Sequence, residues 1–389
     1  MKDLYCGRGT DSENAALIEF LNDVFFFEDD DDDTRDFLTL LPKIYKDEYR
    51  PAYNNFLLRD HKGEYRASVG AFMNYLTIGG EDVSACCIGN VAVGRKYRSK
   101  GYMADLLKLT IDELMKIETD VVYLGGQRQR YSYFGFEVSG MMYTYYFNKK
   151  NIKHAFKNKP SGLKAFEMEE GDYESARKID EIYSRLPVRS QRTIERYCDI
   201  LKSWNSTPFI VTEHGEFAGY FVLNDGGNDI LEFGAVSEEY YQRVVTAIFE
   251  LTDAKGISFS VTPFDKEKIA FFDKYAEGIS VRGCESVLVL NYRKIIGSLL
   301  KAKAGYETLS DGETVVLIHG FRADEKLKIS VRDNRVEVTE TDDEPEYELS
   351  HNEATRAFFS LMRSDASAFR PEIRQWFPLH LSLHSTDTM

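Results

Sequence analysis

Proline is scarce in this chain, 9 in 389 residues, and glycine is modest at 27, so collagenous and low-complexity character are ruled out. Basic residues are outnumbered, 49 Lys and Arg against 64 Asp and Glu, for a net charge of −15. That balance argues against nucleic-acid binding, which needs a basic face against phosphate. It argues equally against docking on an anionic membrane surface. No apolar run approaches the roughly 20 residues of a membrane span. The start, Met1-Lys2-Asp3-Leu4-Tyr5-Cys6, lacks the apolar core of a secretory signal. Cysteine is sparse and odd in number, five in all, which reads as free thiols in a reducing, cytoplasmic compartment; no zinc spacing is present.

What is present is a folded globular composition: 43% hydrophobic, 29% charged, with 24 Tyr and 26 Phe to supply buried area. The length suits two or three domains. Asn14 to Phe27 has the spacing of an amphipathic helix and runs into the acidic stretch Glu28 to Asp33, a solvated loop or an acidic lip that draws in cations. Asn55 to Arg59 and Glu64 to Ile78 read as a hairpin. A strand Ala85 to Val93, a helix Met103 to Ile117 and a strand Val121 to Leu124 follow. Within the third strand the adjacent Cys86 and Cys87 must face opposite ways.

Residues 151–165 are polar and Lys-rich, as a linker would be; helices at 171–186 and 190–203 open a second domain. There Phe209 to Phe217 echoes Phe56 to Tyr65. The order hairpin, strand (Ile230 to Val236), helix (Glu239 to Ala254), strand (Ile257 to Val261) then repeats, which favours a duplicated fold. From residue 293 the pattern changes to a helix, three strands with a tight turn at Asp333-Asn334, a helix Asn352 to Met362, and an extended tail. The expected architecture is α+β, an α/β sandwich, in three domains: 1–150, 151–292 and 293–389.

The chemistry is concentrated in Val91-Ala92-Val93-Gly94-Arg95-Lys96-Tyr97-Arg98-Ser99-Lys100-Gly101-Tyr102-Met103-Ala104. A strand ends, a basic turn follows and a helix begins. The first turn of a helix offers unpaired N–H groups and the positive end of the dipole, together an anion site. Gly101 lets backbone approach a phosphate, and Arg98 and Lys100 add charge. Neither the P-loop Gly-Lys-Ser/Thr nor the Rossmann triple glycine occurs. A second piece follows the strand ending at Gly125-Gly126: Arg130-Tyr131-Ser132-Tyr133-Phe134-Gly135-Phe136. Tyr133, Phe134 and Phe136 read as packed aromatics. Tyr131 is the better chemical candidate, since a phenol of pKa about 10 can protonate a thiolate leaving group.

Val91-x-Val93, Arg98-x-x-Gly101 opening a helix, and Tyr131-x-x-Phe134-Gly135-Phe136 together resemble the GNAT (GCN5-related) N-acetyltransferase family over residues 10–150. Met103 departs from the family's usual Gly or Ala. The whole chain is similar to the Eis-like (enhanced intracellular survival) subgroup, which joins a GNAT domain, a degenerate GNAT copy and a C-terminal sterol-carrier-like domain; Leu309 to Glu313 with the following strands carries the last likeness. The resemblance implies acetyl transfer from acetyl-CoA to a primary amine by direct attack. The cofactor contacts would be Val91, Ala92, Val93, the Arg98 to Ala104 turn (with Ser99, Lys100, Gly101, Tyr102 and Met103), Gly126 and Gln127. Tyr131 would be the general acid, and the terminal carboxylate of Met389 the general base. It also implies a homo-oligomer. The acidic stretch and the net charge favour a cationic acceptor, aminoglycoside- or polyamine-like. Rival readings are acetylation of a protein lysine or N-terminus, or a CoA- or lipid-binding protein without catalysis. In the second repeat the matching turn, Val236-Ser237-Glu238-Glu239-Tyr240, is acidic and lacks glycine, so that copy is expected to be structural. His380 and His384, four apart on an extended tail, would sit about 13 Å from each other, too far to share a metal.

Overall fold

In the computed structural model, residues 4–26, 36–252, 254–361 and 365–389 are described. The acidic stretch Glu28 to Asp33 lies outside them. The strands form three sheets. The first contains β1 (Leu4–Arg8), β2 (Asn55–Asp60), β3 (Tyr65–Ile78), β4 (Glu81–Val93), β5 (Val121–Leu124) and β6 (Glu137–Val138). The second contains β7 (Met142–Asn148), β8 (Lys164–Glu167), β10 (Thr207–Glu213), β11 (Glu216–Leu223), β12 (Asp229–Ala235), β13 (Gly256–Val261) and β14 (Gly278–Arg282). The short β9 (Val188–Ser190) pairs with β3, and β15 (Ser286–Val289) belongs to the first sheet. The third sheet has β16 (Gly312–His319), β17 (Asp324–Arg332), β18 (Arg335–Glu340) and β19 (Tyr347–Ser350).

The first sheet runs β1-β2-β3-β4-β5-β15-β6 and the second β14-β7-β13-β12-β11-β10-β8. Read in opposite directions they have the same order. In each, two antiparallel neighbours lead to a strand that pairs in parallel with the next one, β4 with β5 and β12 with β13, across a helix. Those helices are Tyr102–Lys116 and Tyr241–Thr252. The echo in the sequence thus corresponds to a repeat in the fold. Each sheet also takes one strand from the other repeat. β7, adjacent to β6 in sequence, leaves to pair with β13 and β14, while β15 returns to sit between β5 and β6. The sequence division at 150 is therefore crossed both ways, β7 from residues 1–150 joining the second sheet and β15 from residues 151–292 the first.

Most elements lie where their patterns place them. Leu106, Leu107, Thr110, Ile111 and Leu114 form the buried stripe of the helix after β4. Cys86 and Cys87 face opposite cores, and Asp333 and Asn334 both adopt φ > 0 in the tight turn. Three expectations need correction. The polar linker at 151–165 begins as a helix, Lys149–Ala155, capped by the Asn148 side chain; Ile152 and Phe156, one turn apart, are its buried contacts. The helix expected over 190–203 is shorter, Tyr197–Lys202, because residues 188–190 instead extend the edge of β3 as β9. Tyr133 is 89% exposed, whereas Phe134 and Phe136 are buried as expected.

The third unit packs the helices Tyr292–Ala304 and His351–Phe359 on its sheet. Its core is continuous with the underside of the first sheet: Leu76, Val83 and Val121 belong to the same cluster as Ile295, Ile329, Phe358 and Trp376. No helix of the described residues is long and apolar enough to cross a membrane.

From Trp376 the tail runs buried beneath the first sheet, held by polar groups that have no solvent alternative. Ser382 Oγ donates to the Met141 carbonyl at 2.8 Å. Lys43 Nζ, itself buried, donates to the carbonyls of Thr386 (2.6 Å) and Thr388 (2.7 Å). Arg192 extends from the second repeat and is 1% exposed at its side chain. It holds Glu232 through Nη2 at 2.8 Å and Asp387 through Nε at 2.8 Å, and it lies over the Tyr183 ring. Thr386 Oγ1 donates to Glu232, and Tyr183 Oη to Asp387.

Burial alone would raise the Glu232 carboxyl, but Arg192, His384 and the hydrogen bonds from Arg192 and Thr386 hold it far below the ordinary carboxylate range. A folded pKa below the unfolded one means its stabilisation is complete above about pH 5 and is lost as pH falls. Arg192→Met leaves two buried carboxylates uncompensated. In urea unfolding at pH 7 it should cost about 3–5 kcal/mol, and it should open the tail to proteolysis. A change below 1 kcal/mol with the tail still protected would contradict this role.

Candidate functional site

The site begins where β4 parts from β5. Their parallel pairing covers Ala85–Ile88 with Val121–Leu124 and stops there. Beyond Ile88, β4 continues to Val93 paired only with β3. Its edge toward β5 over 89–93 is thus open to an extended ligand arm that can pair with main chain. Within this stretch alternation points Val91 and Val93 one way and Ala92 the other. Ala92 is buried in the cluster beneath the helix Asn14–Phe25, with Leu17 and Leu21. Any contact it makes with a ligand in the cleft is through backbone.

The chain then turns through a short 3₁₀ segment, Arg95–Tyr97, into the helix Tyr102–Lys116. Gly101 is the residue before that helix, at φ 82°, and a Cβ built there would meet nothing within 4 Å. The position thus needs glycine for its left-handed backbone, while leaving the space over the helix N-terminus empty. Val91, Val93, Arg98, Ser99, Lys100, Gly101, Tyr102, Met103 and Ala104 line a cleft of about 640 Å³. Arg98 and Lys100 are exposed along it, and Lys100 Nζ lies 5.2 Å from the centre of the Tyr97 ring. Unpaired helical N–H groups, two cations and an open glycine fit a pyrophosphate; Met103 narrows the cleft without filling it.

A second cavity, about 370 Å³, adjoins the first and shares Phe25, Val91 and Arg130 with it. Gly126, Gln127, Tyr131 and Met389 line it, so both candidate catalytic residues face one space. Tyr131 stands in the one-turn helix Arg128–Tyr131. Its ring packs against Phe136, with centroids 6.3 Å apart. Burial raises its phenol pKa, partly offset by Arg130, so it carries its proton at neutral pH. Met389 reaches the cavity because two glycines make room. A Cβ at Gly89 would overlap the Met389 side chain, and one at Gly125 would lie 3.1 Å from the Met389 main-chain oxygen.

Two further ionisable groups flank the tail's last residues. The Lys43 amine is pushed down to about 8 by burial, against the pull of Asp387. Burial raises the Glu285 carboxyl, opposed by a hydrogen bond from Thr388 and by Arg282 and Lys43.

Several lining residues are absent from the sequence expectation. Phe25 and Phe26 close the cavity from the end of the first long helix, and Phe37, Leu40 and Leu41 from the next turn. Trp204 arrives from the second repeat, 73 residues after Tyr131. Nothing in its local sequence sets it apart. Its signal is conformational: φ 63°, ψ 35°, a left-handed backbone rare for a bulky residue.

The corresponding turn in the second repeat is built differently. Glu238–Tyr240 precedes the helix, and Arg243 in its first turn is bound to Glu213 and to the Ser161 carbonyl. The cation there is already neutralised. His380 and His384 are both buried in the tail, and among the described residues no group of three or more His, Cys, Asp or Glu is placed to hold a metal ion.

Residues 8–139 match the sequence profile of the family described as "Acetyltransferase (GNAT) domain". No curated protein matches the chain by sequence. Among solved structures, a GCN5-related N-acetyltransferase from Kribbella flavida superposes with TM-score 0.67 at 13% identity, covering 100% of this chain and 98% of that one. A GCN5-related N-acetyltransferase from Anabaena variabilis gives 0.64 at 14%, covering 92% and 90%. Eis1 from Mycobacterium abscessus gives 0.64 at 13%, covering 99% and 100%. At these identities the likeness is one of fold, and it spans all three units.

If the cleft is the pyrophosphate site, Gly101→Glu should abolish CoA binding in calorimetry, since the new side chain enters the open space with the wrong charge and a strained φ. Wild type should bind one CoA per chain. Unchanged affinity in the variant, or a stoichiometry near two, would contradict the assignment. The segment 8–139 thus matches a GNAT acetyltransferase domain by its sequence profile, and the cleft lies within that segment.

Proposed function

We propose that the protein transfers an acetyl group from acetyl-CoA to a primary amine of a small acceptor, by direct attack without a covalent enzyme intermediate. The observation that carries this reading is the junction of the two spaces. An anion cleft with an open strand edge meets, at Val91 and Arg130, a cavity that contains both Tyr131 and the last residue of the tail. Five unpaired thiols support placing the protein in a reducing compartment, the cytoplasm.

The roles follow from what each group can do. The helix N-terminus at Gly101, with Arg98 and Lys100, holds the pyrophosphate. The open edge of β4 pairs with the pantetheine arm and brings the thioester to the mouth of the cavity. A main-chain N–H near Val93 stabilises the oxyanion as the amine attacks. A carboxylate at Met389, carried by a chain end there, accepts the amine proton. Tyr131, protonated at neutral pH, donates to the departing thiolate. The second repeat supplies a wall of the cavity through Trp204 and holds the tail through Arg192.

The third unit carries the resemblance to sterol-carrier-like domains. Between its helices and its sheet, Ile295, Leu299, Val316, Ile329 and Phe358 fill the interior, so it supports a packing role better than lipid carriage. The cavity, about 370 Å³, has room for a small acceptor.

Tyr131→Phe keeps the ring and removes the O–H. Acetyl transfer to any accepted amine should fall by roughly 10²–10⁴ with CoA affinity unchanged; a silent substitution would reduce Tyr131 to a packing residue. Adding a few residues after Met389 moves the terminal carboxylate while altering no side chain. The rate should fall and its dependence on rising pH should steepen, because free amine must then be supplied by solvent. Full activity in the extended chain would assign the base elsewhere.

A further inference from the structure

The described lining of the proposed acceptor cavity is mostly apolar. Its outer walls are Phe25, Phe26, Phe37, Leu40, Leu41 and Trp204, and the one charged side chain among its described lining residues is Arg130, a cation. The acidic stretch that suggested a cationic acceptor is not among the described residues. Among the described lining residues, ammonium groups entering this cavity meet no side-chain carboxylate and only the one carboxylate proposed at Met389, so each further charge loses water without a partner there. Aromatic faces and leucines instead recover free energy from apolar surface.

Trp204 strengthens this reading independently of the lining. It is held at φ 63°, with Asn205 at φ 54° beside it, and it is 41% exposed. A left-handed backbone at a bulky residue is unfavourable and persists only where surrounding structure enforces it. Here the short 3₁₀ segment Ser203–Asn205 packs on the turn Phe37–Leu40, and the indole stands in the cavity wall. A large apolar ring from the second repeat is thus presented, at a conformational cost, to a space in the first.

We infer that the acceptor is an apolar primary monoamine, an arylalkylamine whose ring lies among Phe37, Leu41 and Trp204 while its single amino group reaches Tyr131 and Met389. The inference rests on the acetyl-transfer reading for its chemistry, but on the cavity walls for the acceptor's class. Burial also helps the reaction. An amine withdrawn from water in apolar surroundings loses its proton more readily, as Lys43 does nearby, and only the neutral amine attacks. The step balances simply: the amine nitrogen forms the amide bond, the carbonyl–sulfur bond breaks, one proton leaves the nitrogen and one joins the thiolate.

The test uses the full chain, with 2-phenylethylamine, n-butylamine and spermidine as probes. Affinity is measured by calorimetry in the presence of CoA, and kcat/KM with acetyl-CoA by release of CoA thiol. The arylalkylamine should bind, and be turned over, at least about 10-fold better than either of the others, the scale set by a few apolar carbons in a hydrophobic pocket. Trp204→Ala should reduce that ratio toward one while leaving the KM for acetyl-CoA in place. Leu40→Glu, which puts a carboxylate into the wall, should shift preference toward spermidine.

Spermidine favoured by the wild type, or an aryl preference that survives Trp204→Ala, overturns the inference. An aryl preference in binding without any turnover keeps the cavity's assignment to an apolar amine and removes the acetyl-transfer reading. Turnover of spermidine over the arylalkylamine does the reverse. An apolar group could also enter on the acyl chain. If the cavity serves that chain, octanoyl-CoA should outperform acetyl-CoA with n-butylamine, and that result would likewise overturn the assignment to the acceptor.

Discussion

The buried ion cluster of Arg192 with Glu232 and Asp387 is the interaction on which the rest of the site depends. It joins a strand of the second repeat to the tail of the third unit beneath the sheet of the first. An arginine with 1% of its side chain exposed is tolerable only when its charge and donors are fully matched, and here two carboxylates, a threonine hydroxyl and an aromatic face do so. Lys43 adds two donors to tail carbonyls from the opposite side. With Thr386, Asp387 and Thr388 fixed in this way, Met389 has little freedom left, and Gly89 and Gly125 give it a place at the cavity floor. A residue far from the cleft in sequence thereby becomes part of the site.

The exchange of β7 and β15 has the same consequence on a larger scale. β5 carries Gly125 and Gly126 at its end, and its outer neighbour is β15, a strand from the other repeat. The position of the cavity floor therefore depends on both repeats being folded together. Loss of the anion turn in the second repeat, where Glu213 neutralises Arg243, is consistent with a copy retained for its walls and its strand.

Much of this was legible in the chain. The strand, basic turn and helix over 91–104 are local, and local periodicity with the demands of a helix N-terminus was enough to place them. The internal echo at 209–217 foretold the repeat. The strand exchange was not legible, because alternation in β7 or β15 says that a strand exists and nothing about which sheet it joins. Likewise Trp204, Phe37 and Arg192 have no local feature separating them from ordinary core or surface residues; only the third dimension brings them to Tyr131 and Met389. The polar composition of 151–165 concealed a helix because only two of its contacts, Ile152 and Phe156, are buried. Net charge is a weak guide to the acceptor for a related reason. A total of −15 describes the whole surface, whereas selectivity is set by a few lining side chains, and of those described Phe25, Phe26, Phe37, Leu40, Leu41 and Trp204 are apolar.

The proposed mechanism makes the cleft and the cavity two halves of one active site, meeting at Val91 and Arg130 beside Tyr131. A crystal structure with CoA bound tests it most directly. The pyrophosphate should lie over Gly101, the pantetheine arm along the open edge of β4 and the sulfur within roughly 3–3.5 Å of the Tyr131 hydroxyl, a distance fit for reaction. A CoA whose sulfur points away from Tyr131, or one seated on the second repeat, would contradict it.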